Sequence, residues 1–246
     1  MVARAPQLPA GGVGAGGDGV WYLAYGSNAD PGRLRCYLRG GRPEGGRRVY
    51  PGCRDRAEPR AAAAVEVPGT VYFATESPVW SGGRAFLDPV APGGPVLARA
   101  YLITRGQFSD LAAQEMYRVP GECPDLDLAG VLRDGRAVLG DGRYETLVCA
   151  GLLEGRPLLT FTAPWATGAV PPNPPSAAYL RCVARGLLDG DAWDPRTVAG
   201  YLAARPGAEG HWTAGQILDL VGRGKGGPGG AESGDGGEDG GGRGGG

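Results

Sequence analysis

Apolar, β-branched and aromatic residues cluster in short runs through the first two-thirds of the chain and recur at helical spacing through the last third. The runs at 20–25, 61–67, 70–74, 84–87, 96–104, 144–153 and 157–163 predict strands, each stopped by Gly, Pro or polar residues. Pro68-Gly69 predicts a turn between the second and third, and Glu154-Gly155-Arg156 a hairpin between the last two. Asp30-Pro31 supplies an N-cap with proline at the first helical position ahead of Leu34 and Leu38. Further helices are predicted over 106–117, 176–188, 195–204 and 213–221, the second carrying Tyr179, Leu180, Val183 and Leu187 on one face. Residues 39–60, rich in Gly, Arg and Pro, predict irregular chain. Strands first and helices last imply an α+β fold with a mixed sheet, curved or barrel-like, and peripheral helices.

Two places in this pattern carry chemistry. In Ala24-Tyr25-Gly26-Ser27-Asn28 a strand runs into a Gly-Ser-Asn turn and a helix cap. Such a turn either points successive N–H groups outward as an anion-binding concavity or is only a polar connection. On the 106–117 helix, Phe108, Leu111, Ala112 and Glu115 share one face, so a carboxylate stands in line with apolar side chains. That position costs desolvation and suits a general base. The alternative is a frayed helix end where Glu115 reaches solvent or pairs with Arg118.

Composition narrows the choices. The 246 residues include 48 Gly and 22 Pro, with six of the glycines in 1–19 and fifteen in 222–246. This predicts one domain over 20–221 between a disordered N-terminal segment, 1–19, and a disordered Gly-rich tail, 222–246. Basic and acidic residues number 25 and 26, a balance that gives no electrostatic reason to expect nucleic acid or a membrane surface as partner. Lys225 is the one lysine, and with the Ala, Gly and Pro bias it suggests a GC-rich, bacterial genome. The absence of an apolar export or spanning segment predicts a cytoplasmic protein. Five cysteines without C-x-x-C spacing read as reduced core thiols.

The chain has one histidine, His211. Zinc hydrolases of the common types need two or three, so metal-dependent deacetylase or peptidase chemistry is not expected, and neither a metal nor a cofactor is implied. His211 lies in a polar Gly-Ala-Glu-Gly-His stretch and reads as an exposed turn residue. A serine amidase built on Ser27 would need a base and a G-x-S-x-G turn, and neither is present. Catalysis, if any, falls to a carboxylate and backbone groups.

Tyr22-Leu23-Ala24-Tyr25-Gly26-Ser27-Asn28 resembles the signature loop of the γ-glutamylcyclotransferase-like (AIG2-like) superfamily. The likeness continues in order. Trp80-Ser81-Gly82-Gly83-Arg84-Ala85 resembles a W-x-G-G-x-A segment, and Gln114-Glu115 falls where that family places its catalytic glutamate. Tyr144, Val148, Gly155 and Thr160-Phe161-Thr162 resemble its closing hairpin, and Pro175-Ser176-Ala177-Ala178-Tyr179 with Gly186 resembles its P-S-x-x-Y helix start.

The resemblance implies an enzyme that cyclises a γ-glutamyl amide or peptide to 5-oxoproline and releases an amine or amino acid. It implies Glu115 as general acid and base, and Tyr22, Leu23, Ala24, Tyr25, Gly26, Ser27, Asn28 and Tyr179 as substrate contacts. The partner is then a small γ-glutamyl molecule. Met116-Tyr117-Arg118 after the glutamate, Ala29 after the loop and the 39–60 insertion depart from the family's usual pattern and leave the substrate open. The alternative is a non-catalytic binding or interaction module of the same fold, with Glu115 exposed or neutralised by Arg118 and the 22–28 loop facing no cavity. Trp80 reads as a packed turn residue. Tyr144 either lines the cavity or packs in a strand, and Tyr117 and Arg118 either bind a substrate carboxylate or form a solvated helix end.

Overall fold

The computed structural model describes residues 2–4, 18–43 and 48–222. Its centre is a mixed seven-stranded sheet. In chain order the strands are β1 (Val2–Arg4), β2 (Gly19–Ala24), β3 (Ala61–Val67), β4 (Thr70–Ala74), β5 (Arg84–Asp88), β6 (Val96–Thr104), β7 (Arg136–Val138), β8 (Thr146–Leu153) and β9 (Arg156–Thr162). Across the main sheet they run β1-β3-β6-β2-β9-β8-β7, and β4 and β5 form a separate hairpin. The pairs β1–β3 and β2–β9 are parallel, and the others are antiparallel. Among the described residues the sheet ends at β1 and β7, so it is open and not a closed barrel.

Strand periodicity divides the core in two. On β2, Trp21 and Leu23 face one side of the sheet while Val20, Tyr22 and Ala24 face the other, the alternation that a pleated strand imposes. The first side is covered by α4 (Ala177–Leu188), α5 (Pro195–Ala203) and α6 (Ala214–Gly222), through Leu180, Val183, Leu187, Val198, Leu202 and Ile217. The second is covered by α1 (Pro31–Arg39), α2 (Arg105–Glu115) and α3 (Ala129–Asp134), through Leu34, Leu38, Phe108, Leu111 and Val131. Because helices cover both faces, every residue of β2 is buried.

Caps place the helices. Asp30 accepts from the Arg33 N–H ahead of Pro31 at the start of α1, and Thr104 and Gln107 form a reciprocal capping box at the start of α2. Ser176 caps α4 through the Tyr179 N–H. The β4–β5 hairpin is tied to β9 by Thr162, whose hydroxyl accepts from the Leu87 N–H at 3.0 Å and donates to the Leu87 carbonyl at 2.8 Å.

Several expectations need correction. Val2–Arg4, within the segment expected to be disordered, pair in parallel with Ala64–Glu66 of β3, where Val2 and Ala3 pack against the core. The remainder of the expected N-terminal disorder, and the tail beyond Gly222, lie outside the described residues. The last hairpin is present as expected, and it turns through Glu154 and Gly155, both at positive φ (49° and 72°), as a two-residue loop matched to strand twist requires. β8 begins at Thr146, leaving Tyr144 in the preceding loop. α2 ends at Glu115, with Met116 as its C-cap and Tyr117 left-handed at φ 59°. The short elements α3 and β7 went unpredicted. Among the cysteines, Cys53 and Cys149 are buried and Cys36 and Cys182 half-buried, but Cys123 is exposed and so is not a core thiol.

Candidate active site

One pocket forms where the end of β2, the 3-10 turn Ser27–Ala29, the inner face of α1, the end of α2, the start of β5 and the start of α4 converge. Glu115 stands in its wall. Its Oε1 accepts from Asn28 Nδ2 at 3.2 Å and from the Tyr37 hydroxyl by a short hydrogen bond. The second Asn28 amide hydrogen goes to the Tyr22 hydroxyl at 3.0 Å. Asn28 therefore uses both its donors to lock the loop to the carboxylate and to the strand that precedes it. Arg118 does not neutralise Glu115, because it pairs with Glu145 at 2.8 Å.

Behind the carboxylate lies a cation in an aromatic box. Arg33 is only 4% exposed, and its guanidinium carbon sits 4.9, 4.5 and 5.5 Å from the ring centroids of Tyr37, Tyr50 and Trp80. Its Nη2 donates to both the Tyr37 and the Tyr50 hydroxyls. Burial works against the Arg33 charge, but Tyr37, Tyr50 and Glu115 outweigh it and hold the guanidinium protonated. Burial first, and the Glu115 charge second, push the Tyr22 and Tyr37 phenols above their ordinary range, so both remain neutral. Neutral Tyr37 is thus a fixed donor to Glu115.

The opposite wall is Tyr179, buried, with its hydroxyl accepting from the Ala85 N–H at 3.1 Å. Burial, only partly offset by that bond, pushes the phenol up to about 12. Gly83 gives the Trp80–Ala85 segment its close approach to the chain before α4, since a Cβ there would stand 1.9 Å from the Asn173 carbonyl oxygen. Gly186 does the same for α4, whose backbone passes so near the loop that a Cβ would meet Ala29 and Asp30 at 2.3 Å.

Of the residues expected at the site, Tyr22, Tyr25, Gly26, Ser27, Asn28, Glu115 and Tyr179 line the pocket. Leu23 and Ala24 do not. Leu23 points to the other face of the sheet by strand alternation, and Ala24 is buried in the core beneath the loop. Trp80 is more than a packed turn residue: its N–H caps back to Ser77 while its ring forms part of the wall. Tyr144 also lines the cavity, donating to the Ala85 carbonyl at 3.0 Å. Tyr117 lies at the mouth, half exposed, under the Arg48 guanidinium. His211 is exposed on a turn, as expected, and lines none of this.

Arg33, Tyr37, Tyr50 and Arg84 were missed from the sequence. Arg33 and Tyr37 are four apart on the helix leaving the loop, a spacing that places both on one face and could have been read. Tyr50 arrives from the irregular 39–60 segment and gives no local signal.

No family model matches the chain. It is 31% identical over 198 residues to histone deacetylase 5 of Arabidopsis thaliana, an alignment that takes in 74% of this chain but spans only 30% of the length of that relative. Among solved structures it is similar to an uncharacterised human protein, loc79017 (TM-score 0.46, 16% identity), and to a γ-glutamyl cyclotransferase (TM-score 0.43, 16% identity), each match covering 83% of this chain and 99% of the other. YkqA from Bacillus subtilis follows at a TM-score of 0.35 and 20% identity, over 69% of this chain and 48% of that one. Its own ordered motifs, loop, Gly-Gly segment, glutamate and P-S-x-x-Y helix, which resemble those of the γ-glutamylcyclotransferase-like superfamily, lie in and beside one pocket of an α+β fold.

Proposed function

We propose that the protein is an enzyme that cyclises a γ-glutamyl amide or peptide to 5-oxoproline and releases an amine or amino acid. The observation that carries this reading is the state of Glu115. It lines the pocket beside Tyr25–Asn28, anchored by Asn28 and Tyr37 and not neutralised by Arg118, whereas a non-catalytic module needs neither arrangement.

In this reading the γ-glutamyl group lies between the Gly26-Ser27 backbone and Tyr179. Its α-ammonium gives a proton to Glu115, and the freed amine attacks the γ-carbonyl carbon. A C–N bond forms within a five-membered ring while the carbonyl oxygen takes up negative charge, for which the Gly26 and Ser27 N–H groups are the proposed donors. As the intermediate collapses the old C–N bond breaks and Glu115 returns its proton to the leaving nitrogen, while the ring nitrogen gives up its second proton through the same carboxylate to the departing amine, which leaves as an ammonium. The step consumes no water, and because nucleophile and electrophile belong to one molecule, effective molarity supplies much of the rate. Asn28 and Tyr37 hold the carboxylate oxygen in place through these transfers. The deacetylase activity in the plant relative's name is not carried over, since the chain spans only a third of that protein and its one histidine stands outside the pocket.

The test is release of 5-oxoproline from a panel of γ-glutamyl amino acids, γ-glutamyl-amines and glutathione, with Glu115→Gln as control. Turnover of at least one member, lost by about a thousandfold or more in the variant, supports the assignment. A panel with no turnover at all counts against it.

A further inference from the structure

Arg33 is a buried cation on α1 without a carboxylate of its own. Arg99, also buried, has Asp189 at 2.8 Å, whereas no ion pair among the described residues includes Arg33. Its Nε and Nη1 are buried with no acceptor among the described residues, a condition that Nε of Arg84 and of Arg99 shares. What distinguishes Arg33 is where its remaining nitrogen leads. Nη2 donates to the Tyr37 hydroxyl at 3.3 Å and to the Tyr50 hydroxyl, and Tyr37 in turn donates to Glu115 Oε1. Glu115 is also the carboxylate whose charge helps to hold Arg33 protonated.

The inventory of donors and acceptors gives this chain of bonds a direction. A guanidinium has no lone pair to accept with, so both phenol oxygens accept from Arg33 and turn their hydrogens elsewhere. Tyr37 has one hydrogen and two oxygens in reach, Glu115 Oε1 and the Tyr50 hydroxyl at 3.4 Å. Arg33 already donates to the Tyr50 oxygen, and a carboxylate accepts more strongly than a phenol so engaged. The Tyr37 hydrogen therefore goes to Glu115. Guanidinium and carboxylate form a charge pair joined through one neutral phenol.

We infer that Arg33 is a positioning residue for Glu115: acting through Tyr37, it aims the phenolic hydrogen at the carboxylate and supplies the carboxylate's counter-charge. It acts on the base and not on the substrate. Its consequence for turnover rests on the cyclisation reading, whereas its coupling to Glu115 does not.

The coupling is measured first, without substrate. Urea unfolding of the full chain is followed for the wild type, Arg33→Met, Glu115→Gln and the double variant, and for the same four in a Tyr37→Phe background. The expected result is non-additivity of about fivefold or more in the folding equilibrium constant with Tyr37 present, falling to within about twofold in Tyr37→Phe. Should Arg33→Met alone not fold, the same coupling appears as recovery of folding on adding Glu115→Gln. Additive losses, a double variant that still does not fold, or coupling that Tyr37→Phe leaves unchanged overturn the inference.

Steady-state kinetics on a γ-glutamyl compound that is turned over is the second arm. Arg33→Met should lower kcat about 10-fold or more with KM within about threefold, and Arg33→Lys, which keeps the charge, should fall between it and the wild type. Arg33→Met added to Tyr37→Phe should lower kcat by less than about threefold further. A loss confined to KM overturns the inference, since Arg33 would then bind substrate. Coupling in urea with no turnover by the wild-type chain would defeat the cyclisation reading and leave the positioning of Glu115 by Arg33 standing.

Discussion

At the residue scale the site turns on how Glu115 is held. Tyr37 is a neutral phenol because burial and the neighbouring carboxylate both disfavour its ionised form, so it keeps its hydrogen and donates it to Glu115. Tyr37→Phe removes that donor and little volume. Under the cyclisation reading kcat/KM should fall about 10- to 100-fold, the worth of a hydrogen bond to a charged group, with most of the loss in kcat. Steady-state kinetics on any turned-over substrate checks this, and a change confined to KM would show that Tyr37 binds substrate and does not hold the base. An acid in line with an apolar helical face marked Glu115 as a candidate in the sequence, but spacing alone left a frayed, solvent-facing helix end equally open, and the family resemblance singled it out. Tyr37 and Arg33 were less legible, since a tyrosine and an arginine on a helix usually need no special reason. Tyr50 was not legible at all: it reaches Arg33 through tertiary folding of a Gly-rich segment with no period of its own.

At the element scale, the strands and helices of the main sheet were legible because runs of β-formers and capped, periodic helices agree with the fold in which they sit. The exceptions are short. α3 has six residues and β7 has three, too few to show a period, and β1 is a three-residue strand whose partner lies some sixty positions away. Close approaches between elements were also hidden, and Gly186 is the clearest. Gly186→Ala puts a methyl group into the Ala29–Asp30 backbone, so α4 or the loop must shift. A loss of about 1–3 kcal/mol in urea unfolding is expected, with a fall in any activity because the loop carries Asn28; a neutral effect on both would contradict the packing.

Asp88 gives a second prediction at this scale. Buried at the end of β5, it accepts from the Val90, Ala91 and Thr167 N–H groups at 3.2, 3.2 and 2.8 Å. Burial alone would raise its pKa, but those backbone donors outweigh it and hold the carboxyl below its usual range. A depressed folded-state pKa means the carboxylate's contribution is fully present above the unfolded carboxylate range and is lost as pH falls through the folded value. Asp88→Asn should therefore destabilise the protein by about 1–2 kcal/mol at neutral pH, and the difference from wild type should shrink on acidification. A gap that stays constant or widens as pH falls would contradict this.

At the scale of the whole molecule, helices cover both faces of the sheet, and a pocket at the end of β2 gathers Tyr25, Asn28, Trp80, Glu115, Tyr144 and Tyr179 from the separate motifs of the family resemblance. Most of that architecture could be anticipated. Whether the sheet closes could not, because closure depends on which strands meet at the edges, and the local pattern does not report it. Among the described residues no helix is long and apolar enough to cross a membrane. The tail from residue 223 onward is dominated by glycine and mixed charge, with too little apolar surface to contribute a core. Removing it should change the melting temperature by less than about 2 °C and leave turnover intact, as thermal unfolding and 5-oxoproline release would show.

The central claim is that Glu115 moves protons in an intramolecular cyclisation. The most direct measurement is product analysis of γ-glutamyl-alanine incubated with the wild-type chain and with Glu115→Gln in ¹⁸O-labelled water. The account predicts equimolar 5-oxoproline and alanine from the wild type, no label in the 5-oxoproline, and loss of both products in the variant. Labelled glutamate in place of 5-oxoproline, or undiminished release by Glu115→Gln, would contradict it.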